Sequence, residues 1–196
     1  IGTGFVANSS PDGYTLLLCS VGPLTISPTL YAKRITYTVG KNLIPVVRIA
    51  STPMVLVVAS RVPVKTYQEF VSYGKENPGK LAFASAGMGN ITHLAAELFM
   101  QSAGISAVHV PYQGATAIIT DLLGDHVDLY FNPLPSALTY VSEKSDKVKA
   151  LAVTSLERAP QLPNVPTLDE LGMKGMAMNS WYGLCAPGGT PKHVQN

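Results

Sequence analysis

The sequence predicts an α/β protein built on a parallel or mixed sheet, with one complete unit and part of a second. Three observations predict this. Short apolar runs of strand length alternate with helical stretches, the pattern of parallel or mixed α/β sheets. The 17 glycines and 15 prolines fall as punctuation between those runs and form no low-complexity block. Residues 61–178 complete a β-α-β-α-β-α-β unit, whereas each flank holds too few helices to cover its own strands, as buried parallel strands require.

Each element follows from local chemistry. Pro11-Asp12-Gly13 is a turn signature that opens a continuous apolar strand over Tyr14 to Ser20. Pro53 to Ser60 is a second strand, rich in β-branched valine. Thr66 and Glu69 have capping-box spacing for a helix reaching Asn77, which Pro78-Gly79 stops. Leu81 to Ala86 is a strand, and Thr92 to Ala103 is a helix. Leu94, Ala95, Leu98 and Phe99 repeat on one face of that helix, and Gly104 closes it. Ser106 to Tyr112 is a strand, and Ala115 to Leu123 is a helix ending at Gly124. Val127 to Asn132 and Val148 to Ser155 are strands with a short helix from Pro135 between them. Thr167 and Glu170 repeat the capping-box spacing and predict a short helix before Gly172. Trp181 to Ala186 is the last strand, leaving through Pro187-Gly188-Gly189.

Composition excludes several function classes. Hydrophobic residues are 46% of the 196, ample for a core, so wholesale disorder is excluded. Charged residues are only 13%, and the 14 basic and 12 acidic side chains are scattered, with a net charge of +2. No stripe of clustered Lys and Arg resembles a nucleic-acid footprint. No run approaches the length of a membrane-spanning helix. The chain opens Ile1-Gly2-Thr3-Gly4, so any targeting segment lies outside these residues. Cys19 and Cys185 sit in apolar contexts and read as buried small hydrophobes, with a disulfide as the second reading.

The most informative stretch is Ser85-Ala86-Gly87-Met88-Gly89-Asn90-Ile91-Thr92-His93. It leaves a strand and opens a helix, where open α/β sheets bind ligands outside strand carboxyl ends. Glycines let the backbone approach a ligand, and the first N–H groups of a helix lack intrahelical partners. With the helix dipole this makes an anion site that needs no Lys or Arg. Asn90 is the expected N-cap, and Thr92 adds a hydroxyl. Three further strand ends match in location: Ser20-Val21-Gly22, Tyr112 beside Gln113-Gly114, and Asn132 before Pro133-Leu134-Pro135-Ser136. Strand carboxyl ends converge on one crevice, so together they point to a ligand site.

Catalytic and nucleotide readings are weaker. Gly87-x-Gly89 lacks the third glycine of a dinucleotide fingerprint, and the first acid after the next strand is Asp121. Gly2-x-Gly4 has no strand before it. No Gly-x-Ser-x-Gly elbow occurs. The four histidines, His93, His109, His126 and His193, show no metal spacing. His93, in the first helical turn, reads as a local hydrogen-bonding residue or one pointing into a cleft. Asp125 and Asp128 flank a turn and read as solvated.

Six segments carry a family resemblance: Pro11-Asp12-Gly13-Tyr14-Thr15-Leu16-Leu17; Ser85-Ala86-Gly87-x-Gly89 with Thr92-His93-Leu94-Ala95; His109-Val110-Pro111-Tyr112-x-Gly114; Leu134-Pro135-Ser136-Ala137-Leu138; Ala150-Leu151-Ala152-Val153-Thr154-Ser155; and Ser180-Trp181-Tyr182-Gly183-Leu184. In order and spacing the chain resembles the Bug family, the TctC-like extracytoplasmic solute receptors of tripartite tricarboxylate transporters.

The resemblance implies a periplasmic-binding-protein-like (type II) two-lobed fold. Residues 1–52 and 185–196 would be a partial first lobe, and 53–184 a complete second lobe with crossing hinge strands at its ends. The family's first strand with its glycine-rich loop, and its last helices, would lie outside these residues. The implied function is periplasmic capture of a small carboxylate-bearing metabolite and its delivery to the membrane components of a tripartite transporter. Catalysis, cofactor, metal and nucleic acid are not implied. The positions matching the family's carboxylate-holding loops are Ser85, Ala86, Gly87, Gly89, Asn90 and Thr92, with Ser20, Val21 and Gly22. The family usually carries Asp where Asn132 stands and a hydroxyl residue where Asn90 stands. Two other classes stay open: a nucleotide- or small-molecule-dependent α/β enzyme, and a ligand-sensing receptor in signalling.

Overall fold

The structure is a computed structural model that describes residues 1–141 and 146–195. In chain order the first elements are α1 (Gly2–Ala7), β1 (Leu17–Ser20), α2 (Ser27–Leu30), β2 (Leu43–Ala59), α3 (Tyr67–Glu76), β3 (Leu81–Ser85) and α4 (Ile91–Ala103). They are followed by β4 (Ala107–Pro111), α5 (Ala115–Leu123), β5 (Leu129–Pro133), α6 (Leu134–Ala137), β6 (Val148–Val153), β7 (Asn179–Pro187) and α7 (Lys192–Gln195). The chain divides into two compact units, Ile1–Ser51 with Ser180–Asn196, and Thr52–Asn179.

The second unit carries a mixed sheet in the order β6-β2-β5-β3-β4. β4, β3, β5 and β6 all run one way, and β2 is antiparallel to both its neighbours. Alternation along the strands sends side chains to two cores. Leu56, Val58, Phe83, Leu129 and Phe131 pack with Phe70 of α3 and Phe99 of α4. Val55, Val57, Tyr130 and Val153 pack with Ile118 and Leu122 of α5 and Ala137 of α6. Phe99 anchors the first core, with ring centroids 6.2, 6.1 and 5.5 Å from Tyr67, Phe70 and Phe131.

Caps form where the spacing predicts them. Thr66 Oγ1 accepts from Glu69 N at 3.2 Å, while Glu69 Oε2 accepts from Lys65 N at 2.6 Å. Thr66→Ala removes one of these bonds, and a thermal melt is expected to show a loss of about 1 kcal/mol. Gly104 closes α4 in the left-handed region at φ 67°. At Thr167 and Glu170 both bonds of the box form, at 3.2 and 2.9 Å. The chain there makes only turns, because Gly172 at φ 88° ends the segment within a single turn.

The first unit departs further from expectation. The pairing of β1 with β7 is antiparallel, from Leu17↔Cys185 to Ser20↔Tyr182, so the strand expected from Tyr14 begins at Leu17. Because β7 pairs with β1 over Tyr182–Cys185, the chain returns to this unit at Ser180, not at the expected residue 185. β2 begins at Leu43, ten residues before the strand expected from Pro53 (53 − 43). Gly183 faces it closely: a Cβ there would lie 2.6 Å from the Val47 carbonyl oxygen. α1 forms despite Gly2 and Gly4, held by Val6 and Ala7 packed with Cys19, Leu24, Leu43 and Cys185. Cys19 and Cys185 are buried free thiols. Burial, then the hydrogen bond from Cys19 and its charge, push the Cys185 thiol up to about 12.

Candidate functional site

The parallel register places three of the expected positions at one edge of the second unit's sheet. Ser85 pairs with Pro111, the residue before Tyr112, and Ala84 pairs with Tyr130, two residues before Asn132. Tyr112 N donates to Ser85 O at 2.9 Å, which joins two of these strand ends. The side chains leave on opposite faces. Ser85 follows Phe83 toward α4, and Asn132 follows Tyr130 toward α5 and α6.

The loop from Ser85 to Thr92 is organised by its own side chains. Gly87 and Gly89 sit at φ 114° and 75°, a region that disfavours residues with a Cβ. Asn90 caps α4 by accepting from Thr92 N at 3.1 Å. Thr92 is 3% exposed; its Oγ1 accepts from Ala86 N at 3.0 Å and donates to Asn90 Oδ1 at 3.3 Å. Gly87 N donates to Ser85 Oγ at 3.3 Å, and Gly89 N to His93 Nδ1 at 3.4 Å. The outward, unpaired amides expected of the sequence are thus bonded within the loop, since part-buried N–H groups need acceptors. No Lys or Arg takes part in these bonds.

Beneath the loop lies a cluster that the histidine count did not reveal. Ser85 Oγ is 2.6 Å from His109 Nε2. The His109 ring stacks on Phe83 at 4.8 Å and lies against His93 at 4.2 Å. His93 Nε2 is 3.4 Å from Glu97 Oε1, one helical turn on. Burial, then the neighbouring His93, hold the His109 imidazole below its ordinary value, and Glu97 acts in the opposite direction. His93 makes the local bond that one of its two sequence readings expected. His109 enters because it stands opposite Phe83 in the β3–β4 register, a long-range pairing that no local spacing signals.

The other strand ends are built differently. Tyr112 directs its hydroxyl to Asp121 Oδ2 at 2.6 Å; burial first, and then that carboxylate, push the phenol up to about 12. Asn132 is fully buried, and its Nδ2 donates to Tyr140 Oη at 2.7 Å and Ser136 Oγ at 3.2 Å. Its Oδ1 has no partner among the described residues. A buried acceptor left in this state costs about 1–3 kcal/mol, which a donor would recover. Burial pushes the Tyr140 phenol up to about 12 against the opposing bond from Asn132. In the first unit, Ser20 ends β1 and Val21 and Gly22 open a helical turn. Thr25 Oγ1 donates to Val21 O at 2.6 Å and Ser27 N donates to Gly22 O, so both carbonyls are engaged. Space beside Gly22 is open: apart from its chain neighbours and its own helical turn, no atom lies within 4 Å of where a Cβ would stand.

Ser85 and His109 have the spacing of a nucleophile and its base. Ser85, however, is fully buried, and its oxygen already accepts from Gly87 N. Among the described residues no group of three or more His, Cys, Asp or Glu could hold a metal ion. No described helix is long and apolar enough to cross a membrane.

Residues 1–196 match the model of the tripartite tricarboxylate transporter family receptor. The chain belongs to that family. A relative from Pseudomonas sp. (strain P51), described as a UPF0065 protein in the tcbD-tcbE intergenic region, is 40% identical over 195 residues; these cover 99% of this chain and 57% of the relative. BugD, solved as a periplasmic binding protein, superposes with a TM-score of 0.88 at 37% identity, over 99% of this chain and 64% of BugD. MatC from Rhodopseudomonas palustris, solved with bound malate, gives a TM-score of 0.87 at 30% identity, over 98% of this chain and 65% of MatC. The fold is therefore that of the periplasmic binding proteins. The chain spans 57% to 65% of the length of these family members.

Proposed function

We propose that the chain is the carboxylate-holding part of a periplasmic solute receptor, which passes a small organic acid to the membrane components of a tripartite transporter and performs no catalysis. The observation that carries this reading is the loop from Ser85 to Thr92. It gathers the amides of Ala86, Gly87 and Gly89 at parallel strand ends, around a capped helix start, without Lys or Arg. A carboxylate is a stronger acceptor than the hydroxyls and imidazole that now take these N–H groups, so it can replace them. Malate in MatC supports the ligand class.

Under this reading Ser85, Ala86, Gly87, Gly89, Asn90 and Thr92 hold the carboxylate. The free Oδ1 of Asn132 accepts from a ligand hydroxyl or a water, and Tyr112 braces the loop through its amide. Ser20, Val21 and Gly22 form a second ligand-contacting turn. The unit of Ile1–Ser51 with Ser180–Asn196 belongs to one lobe and Thr52–Asn179 to the other. Calorimetric titration of the chain, alone and within a protein of family length, is the test. Malate, succinate or citrate is expected to bind, and NAD and ATP are not. Binding of a nucleotide with no binding of any carboxylate would sink the proposal.

A further inference from the structure

We infer that His93 is the cationic ligand contact of this site, and that the loop binds a carboxylate together with one proton. The inference rests on the carboxylate-receptor reading. Its starting point is the hydrogen bond from Gly89 N to His93 Nδ1 at 3.4 Å. An imidazole nitrogen that accepts carries no proton, so the proton of neutral His93 is on Nε2, facing Glu97 Oε1 at 3.4 Å. Adding a proton to Nδ1 turns that acceptor into a donor. Gly89 N–H and Nδ1–H then converge without an acceptor between them. One carboxylate oxygen set beside this pair, about 2.8 Å from each nitrogen, would accept from both once the two N–H bonds turn toward it.

The neighbours decide which ring takes the proton. The ionisable groups facing His93 are Glu97 from its own helix and His109 from β4. Phe83 of β3 contributes an uncharged ring 6.2 Å away, while Tyr112 and Asp121, from the end of β4 and from α5, are bonded to each other. His109 is poorly placed to be the cation. Its Nε2 is 2.6 Å from the buried Ser85 Oγ, and burial, then the neighbouring His93, disfavour a charge there. His93 has the carboxylate of Glu97 beside one nitrogen and the loop beside the other. The proton comes from solvent and settles on Nδ1; no bond between heavy atoms forms or breaks. A ligand carboxylate at the loop places a negative charge beside Nδ1 and favours the imidazolium in the complex.

The sign follows from linkage. A proton taken up on binding makes affinity fall as pH rises, by up to about tenfold per pH unit, across the range where the complex holds the proton and the free protein does not. Malate is titrated by calorimetry from about pH 5.5 to 8.5, the range in which imidazoles titrate, in two buffers of different ionisation enthalpy. Net uptake approaching one proton is expected, and ring NMR signals should show His93 titrating at higher pH in the malate complex than in the free protein. His93→Asn keeps an oxygen for Gly89 N but cannot ionise. It should bind malate about tenfold more weakly at the acidic end, without proton uptake or pH dependence. Glu97→Gln should move the pH dependence to lower pH. If His93→Asn does not fold, the buffer heats and the ring titration of the unaltered protein decide alone. Malate binding that is flat with pH and takes up no proton would overturn this inference and leave the receptor reading standing. Absence of binding by malate, succinate and citrate would overturn both.

Discussion

Asp128→Asn is expected to destabilise the second unit by about 3 kcal/mol, read from urea unfolding followed by circular dichroism. Asp128 is 4% exposed and clips three segments together. Its Oδ1 takes Arg61 Nε at 2.7 Å, its Oδ2 takes Ala82 N at 2.7 Å, and its own N donates to Ala82 O at 2.8 Å. Both carboxylate oxygens accept, so an amide can serve only one partner. The Nδ2 of asparagine would face either the guanidinium or the Ala82 N–H, donor against donor. Arg61 is 43% exposed at its side chain, so water can take over its lost bond, but the part-buried Ala82 amide has no such replacement. Ala82 lies near the start of β3, whereas the candidate loop leaves its end, so the folded variant should bind malate as the parent does. An unchanged unfolding midpoint would show that this clip contributes nothing.

The same residue shows where sequence reading stops. Asp128 reads as solvated because it flanks a turn, and only the parallel pairing of β3 with β5 brings it to the Ala82 amide. Elements with local causes were legible. The helix over Ala115–Leu123 has its expected bounds, and the capping boxes at Thr66 and Thr167 form their bonds. The first unit was read less well, because long-range packing decides its elements. α1 forms on a glycine-rich start only because Val6 and Ala7 find a core. The run Leu16-Leu17-Leu18-Cys19 is continuously apolar, yet Leu18 is 67% exposed and Cys19 is 2%. In that unit Cys19 meets α1 and Leu24 on one face of β1, and nothing comparable covers Leu18 among the described residues.

The candidate site divides in the same way. The stretch from Ser85 to Thr92 announces itself by its glycines, its cap and its place after a strand. Its partners do not. His109 reaches Ser85 across the sheet, and Tyr140 reaches Asn132 from beyond α6. The sequence also points to bare amides as anion donors, whereas hydroxyls and an imidazole hold those amides in place.

On the proposed carboxylate reading, that last difference singles out Thr92 as a position where ligand affinity is expected to respond. Thr92→Val is expected to weaken malate binding about 30-fold, the equivalent of roughly 2 kcal/mol, while leaving the fold intact. Valine has nearly the same shape at this 3% exposed position, so the variant should still fold, at the stability cost of the two bonds the hydroxyl makes. What disappears is one oxygen with two tasks: it accepts from Ala86 N and donates to Asn90 Oδ1. Without it the Ala86 amide loses the bond that fixes its direction, and Asn90 Oδ1 keeps only the bond from Thr92 N. The loop must then be ordered at the expense of binding energy. Thr92→Ser restores the hydroxyl without the methyl and should recover affinity to within a few-fold. Calorimetry on both variants, beside a thermal melt, separates the outcomes. Weak binding by valine with recovery by serine supports a hydroxyl that organises the amides. Equal binding by valine and the parent would mean that Thr92 only packs, and that the carboxylate is held elsewhere.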